Sequence, residues 1–369
     1  MKYLTLFSIL LLLSSNIYYL TVALLLKLFK KKFIFQSLSK GGINKKCLIV
    51  ISILNGGNKL KERIDNITKF CNSEDYEINL ISDGSTDRTL KIAEEISKNK
   101  KVEGWKIYVD NNEKNIGKAL THNQTVDRYN HEYILFSDLD TEFTNTFPSK
   151  AFKYLISNNS CLAVSGKVIF KSTSKYGKFL GRLFLLDLFI RKLSDISKIC
   201  MKGSGPAIII KKGCWIDLKA YEDIDHCVGF MVLKNGGYLK YKDDSFVYDI
   251  ANNSSSKDFR ARRRMTRKSL LAFFNQLNNL KLKSIRDYLS LIGYFIHKPL
   301  RFFLIPILFM LWVTYFYFNL GLIFSSIFLL ILNLFPKSRV INTIVFSFIL
   351  GIYDFLIGRK EGTYKPVNN

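Results

Sequence analysis

The sequence is poor in cysteine and in acidic residues. Its six cysteines include no CxxC pair, and 30 acidic residues stand against 55 lysines and arginines. Since paired cysteine spacing is missing, neither a disulfide framework nor a zinc site is indicated, and we expect reduced thiols as in the cytosol. Low-complexity disorder is excluded as the main state, because 48% of the 369 residues are hydrophobic and can bury a sizeable core.

Charge is missing altogether from two long runs, 3–26 and 302–335. Each is longer than the roughly 18 to 20 apolar residues that span a bilayer, so the sequence predicts a membrane protein with a soluble middle region. The first run lacks an A-x-A cleavage site and exceeds the apolar part of a signal peptide, which favours an uncleaved anchor. By the positive-inside rule, the lysines that follow it place the middle region in the cytoplasm: Lys27, Lys30, Lys31 and Lys32.

The C-terminal part holds further candidate membrane segments. An unbroken helix over 302–335 would be about 51 Å long, against a hydrocarbon core of roughly 30 Å, so we expect a break near Asn319 and Gly321. A further apolar run, 340–357, contains one acidic residue and either spans the membrane or lies flat, which leaves two or three segments. The stretch 288–300, which lies just before the run 302–335, mixes apolar and charged residues as an interfacial helix does.

Short β-rich runs alternate with helical stretches from residue 47 onward. The order βαβαβαβ predicts an open, mainly parallel sheet, and ligands of such sheets bind outside the carboxyl ends of the strands. The predicted strands are 48–53, 78–81, 105–109 and 133–136, and the predicted helices are 58–70, 87–98 and 117–128. Another helical stretch, 178–198, fits an interfacial helix or a helix that caps the soluble core equally well.

Two acidic segments follow strands of this sheet. DGSTD at 83–87 follows the second strand and, taken alone, is simply a turn with a helix cap. SDLD at 137–140 follows the fourth strand, and its two carboxylates, Asp138 and Asp140, project to the same side of an extended segment. Such carboxylates repel unless a divalent cation lies between them and a phosphate. The two segments together therefore indicate a site for a phosphorylated ligand.

Six segments in order carry a resemblance to a known family. They are DGSTD at 83–87, Gly117-Lys118 with Asn123, SDLD at 137–140, GSG at 203–205, YED at 221–223 with Gly236-Gly237-Tyr238, and RARRR at 260–264. With them the chain resembles the membrane-anchored family 2 inverting glycosyltransferases, which include cellulose and hyaluronan synthases. The resemblance implies an α/β GT-A (Rossmann-like) nucleotide-diphospho-sugar transferase domain with N- and C-terminal transmembrane helices.

The resemblance also implies a domain organisation. We expect an integral membrane protein whose catalytic domain is cytoplasmic and whose tail resembles the segment after the last membrane helix of such enzymes. The expected parts are an anchor at 1–32, the GT-A domain at 46–280, an interfacial amphipathic helix at 284–301, a membrane region at 302–357 and a tail at 358–369.

By the same resemblance, each segment has an expected role. Asp140 and Asp138 would bind Mg²⁺ or Mn²⁺, and Asp223, with Glu222 as the neighbouring candidate, would take the proton of the attacking acceptor hydroxyl. Arg264 would stabilise the negative charge that develops on the diphosphate. The expected donor-binding residues are Asn55, Asp83, Ser85, Lys118, Asp138 and Arg260, and the expected acceptor-side residues are Gly203, Ser204 and Gly205.

Two of these roles also have a purely structural explanation. Lys118 is equally well explained as a solvated lysine at a helix start. Glu222, Asp223 and Asp225 also suit a helix N-terminus, where acidic side chains complement the dipole. His226 follows one turn after Asp223, and we expect it to form part of a wall rather than bind a metal, because no second histidine is nearby.

The expected function is transfer of a hexose or N-acetylhexosamine from a nucleotide-diphosphate donor to a lipid-linked or saccharide acceptor in glycan biosynthesis. The resemblance favours a UDP-sugar as the donor, because members of this family commonly use one. A single in-line displacement inverts the anomeric centre. Two alternatives remain, a processive polysaccharide synthase and a non-catalytic sugar-binding assembly partner. Processive relatives carry Q-x-x-R-W, whereas residues 261–265 read ARRRM. Nucleic acid is not an expected partner, because the basic residues surround carboxylates and membrane runs. The sequence leaves the oligomeric state open.

Overall fold

A seven-stranded mixed sheet forms the centre of the protein. The computed structural model describes residues 13–28, 33–36, 44–251, 254–334 and 336–360. The strands lie in the order β3-β2-β1-β4-β6-β5-β7. Their bounds are β1 (Asn44–Ile53), β2 (Tyr76–Asp83), β3 (Ile107–Asn112), β4 (His131–Phe136), β5 (Cys161–Lys171), β6 (Ile208–Lys211) and β7 (Tyr238–Ile250).

The predicted parallel core is confirmed. Strands β1 to β4 pair in parallel, and each begins and ends within four residues of its predicted bounds. The sequence pattern did not predict β5, β6 or β7. Among them β6 runs antiparallel to both β4 and β5, which makes the sheet mixed, and β7 pairs in parallel with β5 at the edge.

Helices cover both faces of this sheet. Their bounds are α1 (Ser14–Leu28), α2 (Gly57–Phe70), α3 (Thr89–Val102), α4 (Lys118–Arg128), α5 (Ser149–Ser157), α6 (Lys175–Ile196), α7 (Ile224–Lys234), α8 (Ser255–Asn278), α9 (Ile285–His297), α10 (Pro299–Leu334) and α11 (Pro336–Leu356). Alternate residues of β1 enter different cores: Ile49 and Ile51 pack on one face of the sheet, and Leu48 and Val50 on the other. A strand buried on both faces reads as a continuous apolar run, which explains why β1 was recognisable.

Among the residues that the structure describes, two helical segments are long and apolar enough to cross a membrane, Ile285–Asn319 and Arg339–Leu356. The expected break is present, because Gly321 has a φ of 77° and separates two helical parts of α10. The N-terminal helix α1 packs against α6 and α9, where Tyr19 is buried. Residues 1–12 of the predicted anchor, Lys30, Lys31 and Lys32, Phe335 and the tail from 361 onward lie outside the described residues.

An ion pair joins the C-terminal helix to α8. Arg263 on α8 donates from Nε to Asp354 Oδ2 at 2.6 Å and from Nη2 to Oδ1 at 2.7 Å. Bidentate pairing of this kind holds both side chains in one geometry. It accounts for the acidic residue within the apolar run of α11, since that residue faces a guanidinium.

All six cysteines are free thiols in the structure, and five of them are buried. The stretch 178–198 belongs to α6, which contacts α1, α11, β5 and β7. It therefore packs on the sheet and also on the helices outside it.

The close packing of α7 against Met201, two residues before the GSG segment, predicts a sensitive position. A Cβ at Gly229 would lie 2.1 Å from the Met201 carbonyl oxygen, whereas a Cβ at Gly181 would meet only Phe170 Cβ at 4.0 Å. We expect Gly229→Ala to destabilise the protein by about 3 kcal/mol or more. Gly181→Ala should be stabilising by about 0.5 to 1 kcal/mol, because it removes a glycine from a helix. Thermal unfolding in detergent measures both, and equal melting temperatures would contradict this packing.

Candidate active site

Two loops at the carboxyl ends of β1 and β2 are joined by hydrogen bonds. Asn55 lies just beyond β1 with a φ of 52°, and its Oδ1 accepts from the Thr86 N–H at 2.8 Å. In return, its own N–H donates to Ser85 Oγ at 3.1 Å. The structure thus brings together the expected donor-binding residues Asn55 and Ser85.

The carboxylate of Asp83 holds a third loop beside them. Its Oδ2 accepts from the Gly117 N–H at 2.9 Å, and its Oδ1 accepts from the Ile116 N–H and Asn112 Nδ2, both at 3.0 Å. Only 5% of Asp83 is exposed. Gly117 has a φ of 90°, which glycine adopts without strain, and α4 begins directly after it. Asp83 therefore fixes the point from which Lys118 enters the site.

The segment after β4 carries the two expected metal-binding carboxylates. Asp138 Oδ1 contacts Lys118 Nζ, and Asp140 Oδ1 lies 2.7 Å from Lys59 Nζ. Their side chains are 40% and 48% exposed, so both are open to a ligand. Lys59, on α2, was not recognised from the sequence, because nothing in its local pattern links it to a segment 81 residues later.

Buried polar contacts support this segment from below. Ser137 Oγ accepts from Arg63 Nη2 at 2.9 Å and donates to the Pro206 carbonyl at 2.9 Å. Burial lowers the pKa of Arg63 to about 10, so the guanidinium still carries its charge at neutral pH. Asp138 thus follows a residue that is held from two sides.

A third carboxylate, Asp249 near the end of β7, lies close to this pair. Backbone hydrogen bonds in both directions join Tyr248 to Glu142, at 2.9 Å each, and so bring the end of β7 beside the SDLD segment. Burial, followed by the charges of Asp138 and Asp140, raises the pKa of Asp249 to about 7. The sequence pattern did not single it out, because β7 itself was not predicted.

These groups can hold a hard cation. Their oxygens are the donors that Mg²⁺ and Mn²⁺ prefer, and ammonium groups already lie against two of them. Within the described part of the chain, no group of three or more His, Cys, Asp or Glu side chains is arranged to enclose a metal ion. A cation here would therefore need further oxygens from a ligand or from water.

Asp223 lies at the start of α7 and, like Asp138, acts on the charge of Lys118; the space around Lys118 between these two carboxylates is called the cleft. Asp223 occupies the N-cap position, yet its carboxylate makes no capping hydrogen bond, and instead Oδ1 accepts from Lys268 Nζ at 2.8 Å. Its side chain is 29% exposed. The carboxylate is thus held by α8 and open to the cleft, which differs from a purely helix-capping role.

The adjacent Glu222 has a different environment. It is fully buried, and its oxygens accept from the Lys219 N–H at 2.8 Å, Asn275 Nδ2 at 2.7 Å and Gln276 Nε2 at 3.0 Å. These three donors bind it to its own loop and to α8. Of the two candidate bases, Asp223 is therefore the one that solvent reaches.

Lys118 links the two sides electrostatically. Burial alone would lower the pKa of its ammonium group. The carboxylate of Asp138, followed by those of Asp223 and Asp225, instead raises it above the usual value. Lys118 therefore lies within the field of both acidic groups, which gives it closer neighbours than a solvated helix-start lysine has.

Helix α8 carries the expected basic residues. Arg260, Arg264 and Lys268 are four residues apart and so lie along one side of the helix. Lys268 contacts Asp223, and both arginines are exposed. The arginines therefore lie one and two turns from a residue that reaches the cleft. Lys268 lies four residues beyond the RARRR segment, and its pairing with Asp223 was not foreseen from the sequence.

The GSG segment connects this side to the sheet. The Gly203 N–H donates to the Asp225 carbonyl at 3.1 Å, and the Ser204 N–H donates to Ser165 Oγ at 2.8 Å. Arg191 donates from Nη1 to the Gly203 carbonyl at 2.9 Å and to Ser204 Oγ at 2.6 Å. Gly205 lies beside Asp225, since a Cβ built on it would be 3.9 Å from Asp225 Cβ.

His226 lies behind this segment. It is 2% exposed, and its Nδ1 lies 3.3 Å from Lys202 Nζ and 3.2 Å from the Tyr294 hydroxyl. Burial lowers the pKa of His226 to about 3, so the imidazole is neutral. These contacts agree with the expected wall position.

Comparison with known proteins agrees with this architecture. Residues 48–224 match the family model for glycosyl transferase family 2. The mannosyltransferase PcManGT from Pyrobaculum calidifontis, solved in complex with GDP-Man and Mn²⁺, is similar with a TM-score of 0.67 at 14% identity, over 96% of this chain and 99% of that one. TarS from S. aureus covers 68% of this chain and 42% of its own, with 15% identity and a TM-score of 0.45. No curated protein matches the sequence.

The burial of Asp249 in the field of two further carboxylates predicts a pH effect on stability. Its raised pKa means that the folded state binds a proton more tightly than the unfolded state, so its contribution is fully present near pH 4 and is lost as the pH rises towards 7. Asp249→Asn should therefore gain about 1 to 2 kcal/mol relative to the wild type between pH 4.5 and 8, with solvent screening included.

Melting temperatures in EDTA across this range measure the effect. The matched control is Asp244→Asn, an exposed position of the same strand whose pKa is lowered, mainly by the hydrogen bond from Lys242. We expect that Asp244→Asn, unlike Asp249→Asn, does not gain melting temperature relative to the wild type as the pH rises. A pH-independent difference for Asp249→Asn would show that the three carboxylates do not interact in solution.

Proposed function

Since residues 48–224 form a glycosyl transferase family 2 domain of the GT-A fold, we propose that the protein transfers a sugar, with inversion, from a nucleotide-diphosphate donor to a lipid-linked or saccharide acceptor. The observation that carries this proposal is the position of Lys118, which contacts Asp138 and also lies in the field of Asp223, so that the SDLD segment and the start of α7 are close to one another. One side suits a charged leaving group and the other an acceptor that loses a proton.

On the donor side, the joined loops of Asn55, Ser85 and Asp83 form the wall that would receive the nucleoside. Lys118 would contact the diphosphate, and Arg264 would add positive charge from α8. A divalent cation on Asp140 and Asp138, Mg²⁺ or Mn²⁺, would neutralise charge on the departing nucleoside diphosphate. The oxygen donors fit it, and the diphosphate would complete its coordination.

On the acceptor side, Asp223 acts as the general base. Its open carboxylate takes the proton as the acceptor hydroxyl attacks the anomeric carbon from the face opposite the leaving group. Lys268 orients this carboxylate through the 2.8 Å contact. The GSG segment, joined by Gly203 to the backbone of Asp225, borders the space where the acceptor would lie.

The proposed setting is the cytoplasmic face of a membrane. Two helical segments long and apolar enough to span a bilayer support it, together with the lysines after the N-terminal apolar run. We retain the expected organisation, with an anchor at 1–32, the catalytic domain at 46–280, an interfacial helix at 284–301 and a membrane region at 302–357. Experiment must identify the nucleotide of the sugar donor, because members of the family commonly use UDP-sugars whereas PcManGT was solved with GDP-Man.

Metal removal tests the donor side. Purified full-length protein in detergent, given UDP-, GDP- and dTDP-sugars with membrane lipid extract, should release nucleotide from one donor class. EDTA should abolish the release, and Mn²⁺ or Mg²⁺ should restore it. Asp140→Asn should weaken cation-dependent donor binding by about tenfold or more. Undiminished release in EDTA would contradict a cation at this site.

Replacement of the base tests the acceptor side. We expect Asp223→Asn to lower the transfer rate by about 10² to 10⁴, because no carboxylate then takes the proton of the attacking hydroxyl. Donor binding should persist. Asp217→Asn, at an exposed acidic residue six positions earlier, serves as the control and should transfer at the wild-type rate. If Asp223→Asn and Asp140→Asn both retained full function, a non-catalytic sugar-binding role would replace this proposal.

A further inference from the structure

A cavity of about 360 Å³ lies between the catalytic domain and the C-terminal helices. Its upper walls are apolar and come from α6, α10 and α11, with Leu183, Phe302, Ile344 and Phe348 among the lining side chains. Its floor is charged and consists of Asp187 of α6, Lys202 just before the GSG segment, Lys298 just before α10 and Arg301 in the first turn of α10. Apolar walls above a polar floor suit an amphiphilic ligand.

Positive charge is in excess on this floor. Asp187 accepts from Lys298 Nζ at 2.8 Å on Oδ1 and from Arg191 Nε at 2.8 Å on Oδ2. His297 Nε2 lies 2.9 Å from the same carboxylate. A single carboxylate thus serves several positive or polar groups.

The whole lining repeats this imbalance. It contains two carboxylates, each already bound by a basic group, and four basic side chains. Without the histidines, the four basic and two acidic lining side chains carry two net positive charges. Asp225, which binds Lys202, and Arg191, which binds Asp187, are not lining residues, and their charges cancel. The basic residues are Lys202, Arg262, Lys298 and Arg301, and the acidic ones are Asp187 and Asp258.

Much of this charge is withdrawn from water. The exposed fractions are 5% for the Lys202 side chain, 20% for Lys298 and 11% for Asp187. Excess charge in such surroundings is costly unless a counter-charge accompanies it. A phosphate monoester carries about −1.5 to −2 at neutral pH and three acceptor oxygens, which matches the excess.

The floor also adjoins the proposed acceptor side. Lys202 Nζ donates to Asp225 Oδ2 at 2.7 Å, and Asp225 lies two residues after the base Asp223. On the opposite wall, Ile250 and Ala251 follow Asp249 directly. An anion on the floor is therefore close to the cleft, whereas a chain along the walls leads towards the apolar helices.

We propose that this cavity binds a lipid phosphate acceptor, with the phosphate on Lys202, Lys298 and Arg301 and the start of its hydrocarbon chain against α10 and α11. This inference rests on the proposed function, because it names the acceptor class of the same enzyme. A site for free phosphate would not use the apolar walls, whereas this proposal requires them for binding. A site for a neutral lipid would not use the charged floor, which this proposal also requires.

Binding of three probes to the full-length protein in detergent tests the cavity. Dodecyl phosphate should bind more tightly than dodecanol and than inorganic phosphate, by about tenfold or more in each case. Equal affinity for dodecanol would overturn the role of the floor. Equal affinity for inorganic phosphate would overturn the lipid, and leave a site for free phosphate.

Variants locate the site. Lys298→Met should weaken dodecyl phosphate binding by about tenfold, as expected for loss of one charge-assisted hydrogen bond, and Lys298→Arg should largely restore it. The matched control is Lys178→Met, an exposed lysine on the cavity-lining helix α6, which should bind as the wild type does. Ile344→Trp fills the apolar wall without touching the floor, so it should weaken dodecyl phosphate but not inorganic phosphate. Wild-type binding by both Lys298→Met and Ile344→Trp would overturn the proposal.

Nucleotide release separates failure of this inference from failure of the proposed function. If cation-dependent release occurs but is not increased by dodecyl phosphate in the wild type, the enzyme stands and the acceptor class is wrong. If no donor is turned over, yet dodecyl phosphate binds with the expected dependence on Lys298 and Ile344, the cavity stands and the transferase reaction does not.

Discussion

The buried carboxylate of Asp83 is the interaction on which the arrangement of the cleft depends. It accepts hydrogen bonds from two backbone N–H groups and one side-chain amide, and so it fixes the loop before α4 and the backbone position of Lys118. Lys118 in turn contacts Asp138. A change at the end of β2 would therefore reach the carboxylates at the end of β4 through one loop. Loss of an acceptor at such a buried site typically costs about 1 to 3 kcal/mol.

The second half of the cleft depends on α8. At one position this helix presents Lys268 to Asp223, and at another it binds Asp354 of α11 through Arg263. Asn275 and Gln276, further along, hold Glu222. The same helix therefore positions the proposed base, its loop and a C-terminal apolar helix. The contacts that hold Asp223 and Glu222 thus come partly from an element beyond the segment that matches the family model, which ends at residue 224.

Much of the parallel half of the fold could be predicted from local pattern. β1, β2 and β4 are apolar runs between clear helical stretches, and the residues at their ends, such as Asp83 and Asp138, are found where strand-end logic expects them. β6 has four residues, and β7 mixes charged with apolar residues, so neither has a pattern that distinguishes it. Lys59, Asp249 and Lys268 could not be recognised either, because each gains its importance from a partner far away in the chain.

The Arg263–Asp354 pair has a consequence for where the working unit ends. A chain that stopped at residue 280 would keep the sheet and the acidic residues of the cleft, but it would leave the guanidinium of Arg263 without its bidentate partner. It would also remove the α10 and α11 walls of the cavity and uncover the apolar side of α8. The unit that keeps these contacts therefore extends beyond residues 48–224 and includes the C-terminal helices.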